Sequence, residues 1–550
     1  MIHKKLWLVS REYAGIAEAG GVKNVVKSLA TGCASLDLKV KVFLPQYACS
    51  PPLSTVPILE TKIPIRDILH TVRYFSLTKK KVQFIFVDTE IFNTKQNVYT
   101  YSEEEAEHFN AHSSIKVKKG EGYLDTPEMN ILFQKAVAFY AEFFNKTPDI
   151  LHCHDAHTAL LPAFIMTKKY LADSFANTKM IVTIHNAGDG YRQTHYDYED
   201  FKKLTGFTDE ILSCARAGEG IEPFLIAVKF AVLTTVSGQY AKELVNPALS
   251  DFSKKFSYAL QEKNISVIGI TNGIDYDHYD PMKKSVSLLP FTFNPEENNY
   301  EGKYKNRKFL LQTLADAEGK NIDKYEGIKC FGNFYPSNEQ TIYFMYHGRV
   351  VKQKGIHILL KIIPQIVGKF PQTRFFIMGQ GEAELEQLCM KATKDAQGHC
   401  IFFKGYNRSL ARLVTAASDF TVLPSLFEPC GLEDFIGQIF ATIPIAHAIG
   451  GLTKIEDKKT GFLYRIPIPN GKTISELSVD EKIFLHETVL RDTLIKIINT
   501  FPAANCCTVS EIPAYSAIIQ NAIRQIKTKF SWKHIIQKSY FPLYGIERDS

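Results

Sequence analysis

Short apolar runs alternate with helically spaced apolar positions from the start of the chain. Residues 6–9 and 40–44 read as buried strands, and Val22, Val25, Val26 and Leu29 between them fall at helical spacing. Residues 84–87, 150–152 and 180–184 continue the strand series, with a helix over 131–144. Strand, helix, strand at this spacing predicts a parallel sheet covered by helices on both faces. A second series begins with a strand at 341–346. It continues with helices over 355–367 and 383–390 and strands at 374–378, 400–403, 420–423 and 443–446. Between the two series, residues 280–338 carry Pro281, Pro290, Pro295, Pro336 and the pair Asn298-Asn299, which predicts a connection with one helix over 303–314. Residues 518–544 are amphipathic, contain Trp532 and are expected to pack as terminal helices.

The fold class is therefore α/β, with two doubly wound Rossmann-like domains in tandem. The expected boundaries are a first domain over 1–280, a connection over 281–338, a second domain over 339–515 and a helical segment over 516–550. Two such domains place a ligand in a central cleft facing both sets of strand carboxyl ends.

Composition narrows the classes without choosing among them. Over 550 residues, 45% are apolar and 22% charged, which excludes a disordered chain and a small cysteine-stapled scaffold. The 65 basic residues barely outnumber the 58 acidic ones, so the net charge of +7 suits an anionic small molecule and gives no nucleic-acid footprint. The ten cysteines include no Cys-x-x-Cys pair, and Cys506-Cys507 are adjacent, so no zinc spacing is present. The apolar run near the start is too short for a signal-peptide core or a membrane span, and a cytoplasmic protein with reduced thiols is expected.

Five loop-like stretches at strand ends carry the candidate chemistry. Gly20-Gly21, opening a helix, would let backbone N–H groups approach an anion. His152-Cys153-His154-Asp155-Ala156-His157 is histidine-rich but lacks helical metal-ligand spacing, so sugar hydroxyls or backbone are its expected partners. His185 and Asn186 end another strand with two neutral polar side chains suited to hydroxyls. Arg349 and Lys354 lie five residues apart across one loop and can both turn to a single anion. Glu428 follows the strand at 420–423, and its neighbour Cys430 reads as a packing residue.

Together these stretches resemble the bacterial glycogen synthase and plant starch synthase family. The resemblance covers nearly the whole chain in the family's order: the Gly-Gly loop, HCHDAHTALLPAF, TIHN, LTTVSGQYAKEL, GITNGIDYDHYDP, GRVVKQKG, GYNRSLARL, LPSLFEPCGL and IGGL…TGFLY. It implies the GT-B architecture with C-terminal helices packing back on the N-terminal domain. The implied reaction is a retaining transfer of glucose from ADP-glucose or UDP-glucose to the non-reducing 4-hydroxyl of an α-1,4-glucan, with no metal or other cofactor. His185, Arg349, Lys354 and Glu428 match the family's catalytic positions. Arg349 and Lys354 would stabilise the leaving diphosphate, Glu428 would hold donor sugar hydroxyls and His185 would orient the glucose. Substrate contacts are implied at Glu18, Gly20, Gly21, Asp155, Asn186, Asn272, Cys430, Gly431 and Leu432, with Tyr406 stacking on the nucleobase. The implied partners are a nucleotide-sugar and an α-glucan, with neither nucleic acid nor membrane.

The chain departs from the family at four places. Glu18 stands where a lysine usually reaches the donor diphosphate, although Lys23 lies near enough in sequence to offset it. Glu433-Asp434 replace a small polar residue near the phosphates, Ala156 replaces an aromatic residue, and Ile449 replaces a threonine. These leave two other readings open: a glucan-binding or regulatory relative with weak or no turnover, and a GT-B glycosyltransferase with another donor or acceptor.

Overall fold

Leu6, Trp7, Leu8 and Val9 are all buried, which fits β1 (Lys5–Val9) to the middle of a sheet. The computed structural model describes residues 4–53, 56–250, 252–315, 322, 324–336, 340–469, 471–501 and 515–547. Cys506, Cys507 and the expected boundary at 338 lie outside the described residues. The chain divides into two units, Met1–Asn272 with Trp532–Ser550, and Gly273–Ser531.

The first unit is built on β1, β2 (Lys39–Pro45), β3 (Leu59–Ile65), β4 (Ile68–Lys79), β5 (Val82–Asp88), β6 (Ile150–His154) and β7 (Lys179–Ile184). A small hairpin of β8 (Arg216–Ala217) and β9 (Gly220–Ile221) stands apart, and β10 (Val232–Thr235) and β11 (Ile268–Gly269) complete the main sheet. The sheet order is β11-β10-β7-β6-β1-β2-β5-β4-β3. Only the β3–β4 and β4–β5 pairs are antiparallel. The chain steps outward from β1 through β2 to β5, then returns to set β6 on the other side of β1. Strand order therefore reverses between β1 and β6, where an open α/β sheet leaves a crevice at the strand carboxyl ends.

The second unit contains β12 (Ile328–Phe334), β13 (Ile342–His347), β14 (Thr373–Gly379), β15 (His399–Gly405), β16 (Phe420–Leu423), β17 (Ile443–His447) and β18 (Phe462–Tyr464). They are ordered β12-β15-β14-β13-β16-β17-β18, and only the edge strand β12 runs antiparallel. Here the reversal lies between β13 and β16. Both units are Rossmann-like and the fold is GT-B.

Two expected boundaries differ from the observed ones. The described part of 281–338 is built into the second unit rather than linking two domains. Its helix Glu301–Leu314 buries Lys303, whose ammonium donates to Ala416 O at 2.9 Å and Ser418 O at 2.6 Å, and β12 pairs with β15. Prolines and charges read locally as a linker because the Lys303 partners lie 113 and 115 residues away and β15 is also remote along the chain. The expected terminal segment 516–550 is also divided. The helix Ser516–Lys529 belongs to the second unit, and the chain rejoins the first unit from Trp532. There the Tyr544 hydroxyl meets His152 Nδ1 at 2.8 Å. Among the described residues no helix is long and apolar enough to cross a membrane.

Candidate functional site

In the first unit, the loops after β1, β6 and β7 bring polar groups to the strand-order reversal. Glu12, three residues past β1 and almost fully buried, accepts the Gly20 N–H at 2.6 Å and the Ala19 N–H at 3.3 Å. Gly20 is thus turned to a carboxylate of its own chain, a correction to the expectation that its N–H faces a bound anion. Burial raises the Glu12 pKa against the hydrogen bonds from Tyr99, Gly20 and Ala19. Gly21 begins the helix Val22–Ser35, and an added Cβ there would meet nothing within 4 Å. Glu18 is folded back as well: Lys23 Nζ lies 2.9 Å from its Oε2, and Gly15 N–H donates to its Oε1 at 2.5 Å. The Lys23 hydrogen bond holds its carboxyl below the ordinary value.

Asp155 and His185 meet at the ends of β6 and β7. The Asp155 Oδ1 accepts the His185 N–H at 2.7 Å and the Asn186 N–H at 3.4 Å. His185 Nε2 faces His154 Nδ1 at 3.0 Å, so one of the two rings donates to the other. Burial brings the pKa of His185 down to about 3 and pushes His154 well below its usual range, leaving both rings neutral near pH 7. Burial lifts Asp155 to about 7 against the two N–H donors. The Asn186 oxygen accepts the Gly188 N–H at 2.8 Å, so that oxygen is engaged within its own loop. Asn272 is buried, and its Oδ1 has no hydrogen-bond partner among the described residues. His157 stacks on Tyr99, ring centroids 4.8 Å apart.

In the second unit, β13 ends at His347 and enters the loop of Arg349 and Lys354. Gly355, at φ 65°, turns that loop into the helix Ile356–Lys369, and a Cβ there would stand 1.9 Å from Pro424 O. This close approach brings the loop against the segment after β16. Lys354 Nζ lies 2.5 Å from Glu428 Oε2, which also accepts the Ser425 hydroxyl at 3.0 Å. Arg349 is exposed beside them, its Nη2 3.5 Å from Gln353 Oε1. Glu433 faces His347 Nδ1 at 2.8 Å. Burial would lower His347, but the Glu433 charge and hydrogen bond hold it above its usual value. The His347 ring lies parallel to the exposed Tyr406 ring, 17° between planes and 6.2 Å between centroids. Cys430 is buried, and its carbonyl accepts from Lys454 at 2.7 Å. Gly431 takes φ 73°, and it and Leu432 are half-buried.

The structure thus gathers Glu18, Gly20, Gly21, Asp155, His185 and Asn186 in the first unit. Arg349, Lys354, Tyr406, Glu428, Cys430, Gly431 and Leu432 gather in the second. Sequence reasoning missed Glu12, His347 and Lys454: the partner of His347 lies 86 residues away, and those of Glu12 and Lys454 are set by turns whose path the sequence alone does not fix. A buried acid just past a strand end is the only local signal Glu12 offers. Among the described residues, no group of three or more His, Cys, Asp or Glu side chains is placed to hold a metal ion.

A family model described as the starch synthase catalytic domain matches residues 5–262, and one described as glycosyl transferases group 1 matches 333–476. The glycogen synthase of Thermodesulfovibrio yellowstonii is 30% identical over 84% of this chain and 87% of its own length. The chain belongs to the glycogen and starch synthase family. It is a glycosyltransferase. The glycogen synthase of Exiguobacterium sibiricum is 27% identical over 98% of this chain and 99% of its own. Among solved structures, the catalytic domain of starch synthase IV from Arabidopsis thaliana, bound to ADP and acarbose, superposes with a TM-score of 0.72. That match covers 99% of both chains at 20% identity and speaks for the fold.

Proposed function

We propose that the protein transfers glucose, with retention, from ADP-glucose or UDP-glucose to the non-reducing 4-hydroxyl of an α-1,4-glucan. The observation that carries this reading is the pairing of Lys354 with Glu428 beside the exposed Arg349, at the strand-order reversal of the second unit. A cationic pair next to a carboxylate suits a donor whose diphosphate and sugar hydroxyls need opposite charges a few ångströms apart. In the reaction the C1–O bond to the diphosphate breaks, a C1–O bond to the acceptor oxygen forms, and the acceptor proton leaves with the diphosphate. Arg349 and Lys354 would stabilise the charge that gathers on the leaving group, as oxyanion donors do. Glu428 would accept from donor sugar hydroxyls, and neutral His185, fixed by Asp155 and His154, would orient the glucose. The nucleobase would stack on Tyr406. No metal or cofactor is required by this scheme, and the setting we propose is the cytoplasm.

Glu18 and Glu433 motivate a reading without turnover, since either charge, facing the donor, would repel it. Their pairing with Lys23 and His347 favours the active enzyme instead. The test is nucleoside diphosphate release from ADP-glucose and from UDP-glucose with glycogen present. Release should depend on glycogen and fall at least ~100-fold in Arg349→Ala, the scale of losing one charge-stabilising donor. Glycogen binding without release from the wild type would establish the non-catalytic relative.

A further inference from the structure

Lys454 is a buried cation with an unusual set of neighbours. Its side chain is 4% exposed, and it lies 3.0 Å from Asp434 Oδ1, whose side chain is wholly buried. The same ammonium donates to Cys430 O at 2.7 Å, Gly431 O at 3.0 Å and Gly451 O at 3.1 Å. It also lies over the Phe435 ring, 4.6 Å from the centroid. Two loops are thereby joined, the one carrying Glu428 and the one from Ile449 to Lys454. A second tie between them is the Gly451 N–H, which donates to Glu428 O at 2.8 Å. Contact is so close that a Cβ on Gly451 would stand 2.0 Å from Cys430 O.

The peptide bonds in this loop are trans. In a planar trans peptide the C=O and the following N–H point in opposite directions. With the Cys430 and Gly431 carbonyls turned to Lys454, the N–H groups of Gly431 and Leu432 are turned away from it. Among the described residues neither N–H donates to any group. They are adjacent, half-buried donors on the same loop as Glu428.

We propose that Lys454, neutralised by Asp434, is a positioning residue for the donor: it gathers three carbonyls beneath the loop and so presents the Gly431 and Leu432 N–H groups to the diphosphate. This rests on the reading of the substrate as a nucleoside diphosphate sugar. It gives Asp434, which the sequence alone sets against an anionic donor, the opposite role. The carboxylate offsets a cation that the loop needs, and it faces inward.

The test compares wild type, Lys454→Met and the charge-free double variant Asp434→Asn/Lys454→Met, all as full chains. Binding of ADP, of UDP and of maltoheptaose is measured at equilibrium, with donor kcat/KM and acceptor KM alongside. Nucleotide binding should weaken at least 10-fold and kcat/KM for the donor fall at least as far, because the same N–H groups meet the charge on the leaving diphosphate, while maltoheptaose binding and acceptor KM stay within twofold. A lysine that served only to hold the unit together would move all of these together or none. The double variant decides if Lys454→Met, left with an unpaired buried carboxylate, does not fold. Hydrogen exchange on the wild type decides without any variant: ADP or UDP should protect the Gly431 and Leu432 amides. Unchanged nucleotide binding in the folded double variant, or no amide protection in a wild type that binds nucleotide, overturns the proposal. A wild type that binds neither nucleotide overturns the functional reading beneath it.

Discussion

Asp155 combines backbone strain with a displaced charge. Its φ of 65° and ψ of 173° fall in a region costly for a residue with a Cβ. The conformation is held by its own N–H on Thr183 O at 2.8 Å and by its carboxylate on the His185 N–H. Burial has raised its pKa from 3.8 to about 7. Between those values the native state holds a proton that the unfolded chain has released. The stability due to this group is thus complete at low pH and is lost as pH rises through that window. The loss is roughly 1.4 kcal/mol per pH unit. Asp155→Asn removes the titration. Urea unfolding at pH 5 and pH 8 should therefore show the wild type losing stability relative to the variant, and parallel behaviour would contradict the assignment. The sequence marked Asp155 as a polar group at a strand end. The strain and the raised pKa depend on burial beneath β7, which no local pattern reports.

At the scale of elements, the parallel strands were the most legible feature. Expected strands at 150–152 and 400–403 appear as Ile150–His154 and His399–Gly405, and the helix expected over 355–367 appears as Ile356–Lys369. Strands buried on both faces have continuous apolar runs, so their own residues announce them. The antiparallel additions were not legible. β3 and β4 lie at a sheet edge, where Glu60, Lys62 and Pro64 are exposed and the apolar run is broken. β12 is an edge strand as well, and its residues carry little periodic signal. The turn at Gly355 shows an element depending on one residue. Its left-handed φ costs about 1–2 kcal/mol for a residue with a Cβ, and the contact with Pro424 O adds to that. Gly355→Ala should lower the melting temperature of the second unit and weaken nucleotide binding by displacing Lys354. Unchanged melting would mean that the loop reaches Glu428 by another path.

For the whole molecule, the division into two units was legible, but its seams were not. The chain's last segment leaves a unit it has just helped to build and returns to the first. Tyr544 gives the buried His152 a partner, and Gly32 leaves room for Ile536, whose Cδ1 would stand 2.3 Å from a Cβ there. A chain ending at Ser531 leaves His152 Nδ1 unsatisfied, a cost of about 1–3 kcal/mol, and uncovers the helix Val22–Ser35. Calorimetry of that truncated chain should show the first unit's transition moved to lower temperature and the second unit's unmoved. If both shift equally, the segment serves more than the first unit.

The sequence by itself determined where strands and helices form, because apolar periodicity is a property of neighbours along the chain. It also determined which loops hold the candidate residues, since glycines, histidines and paired charges fall where those strands end. The tertiary structure alone decided what each polar group faces. Glu433 finds His347 across 86 residues, Gly20 turns to Glu12, and Asp434 turns inward to Lys454. Charge and hydrogen bonding act through space, and distances through space exist only once the sheets have formed.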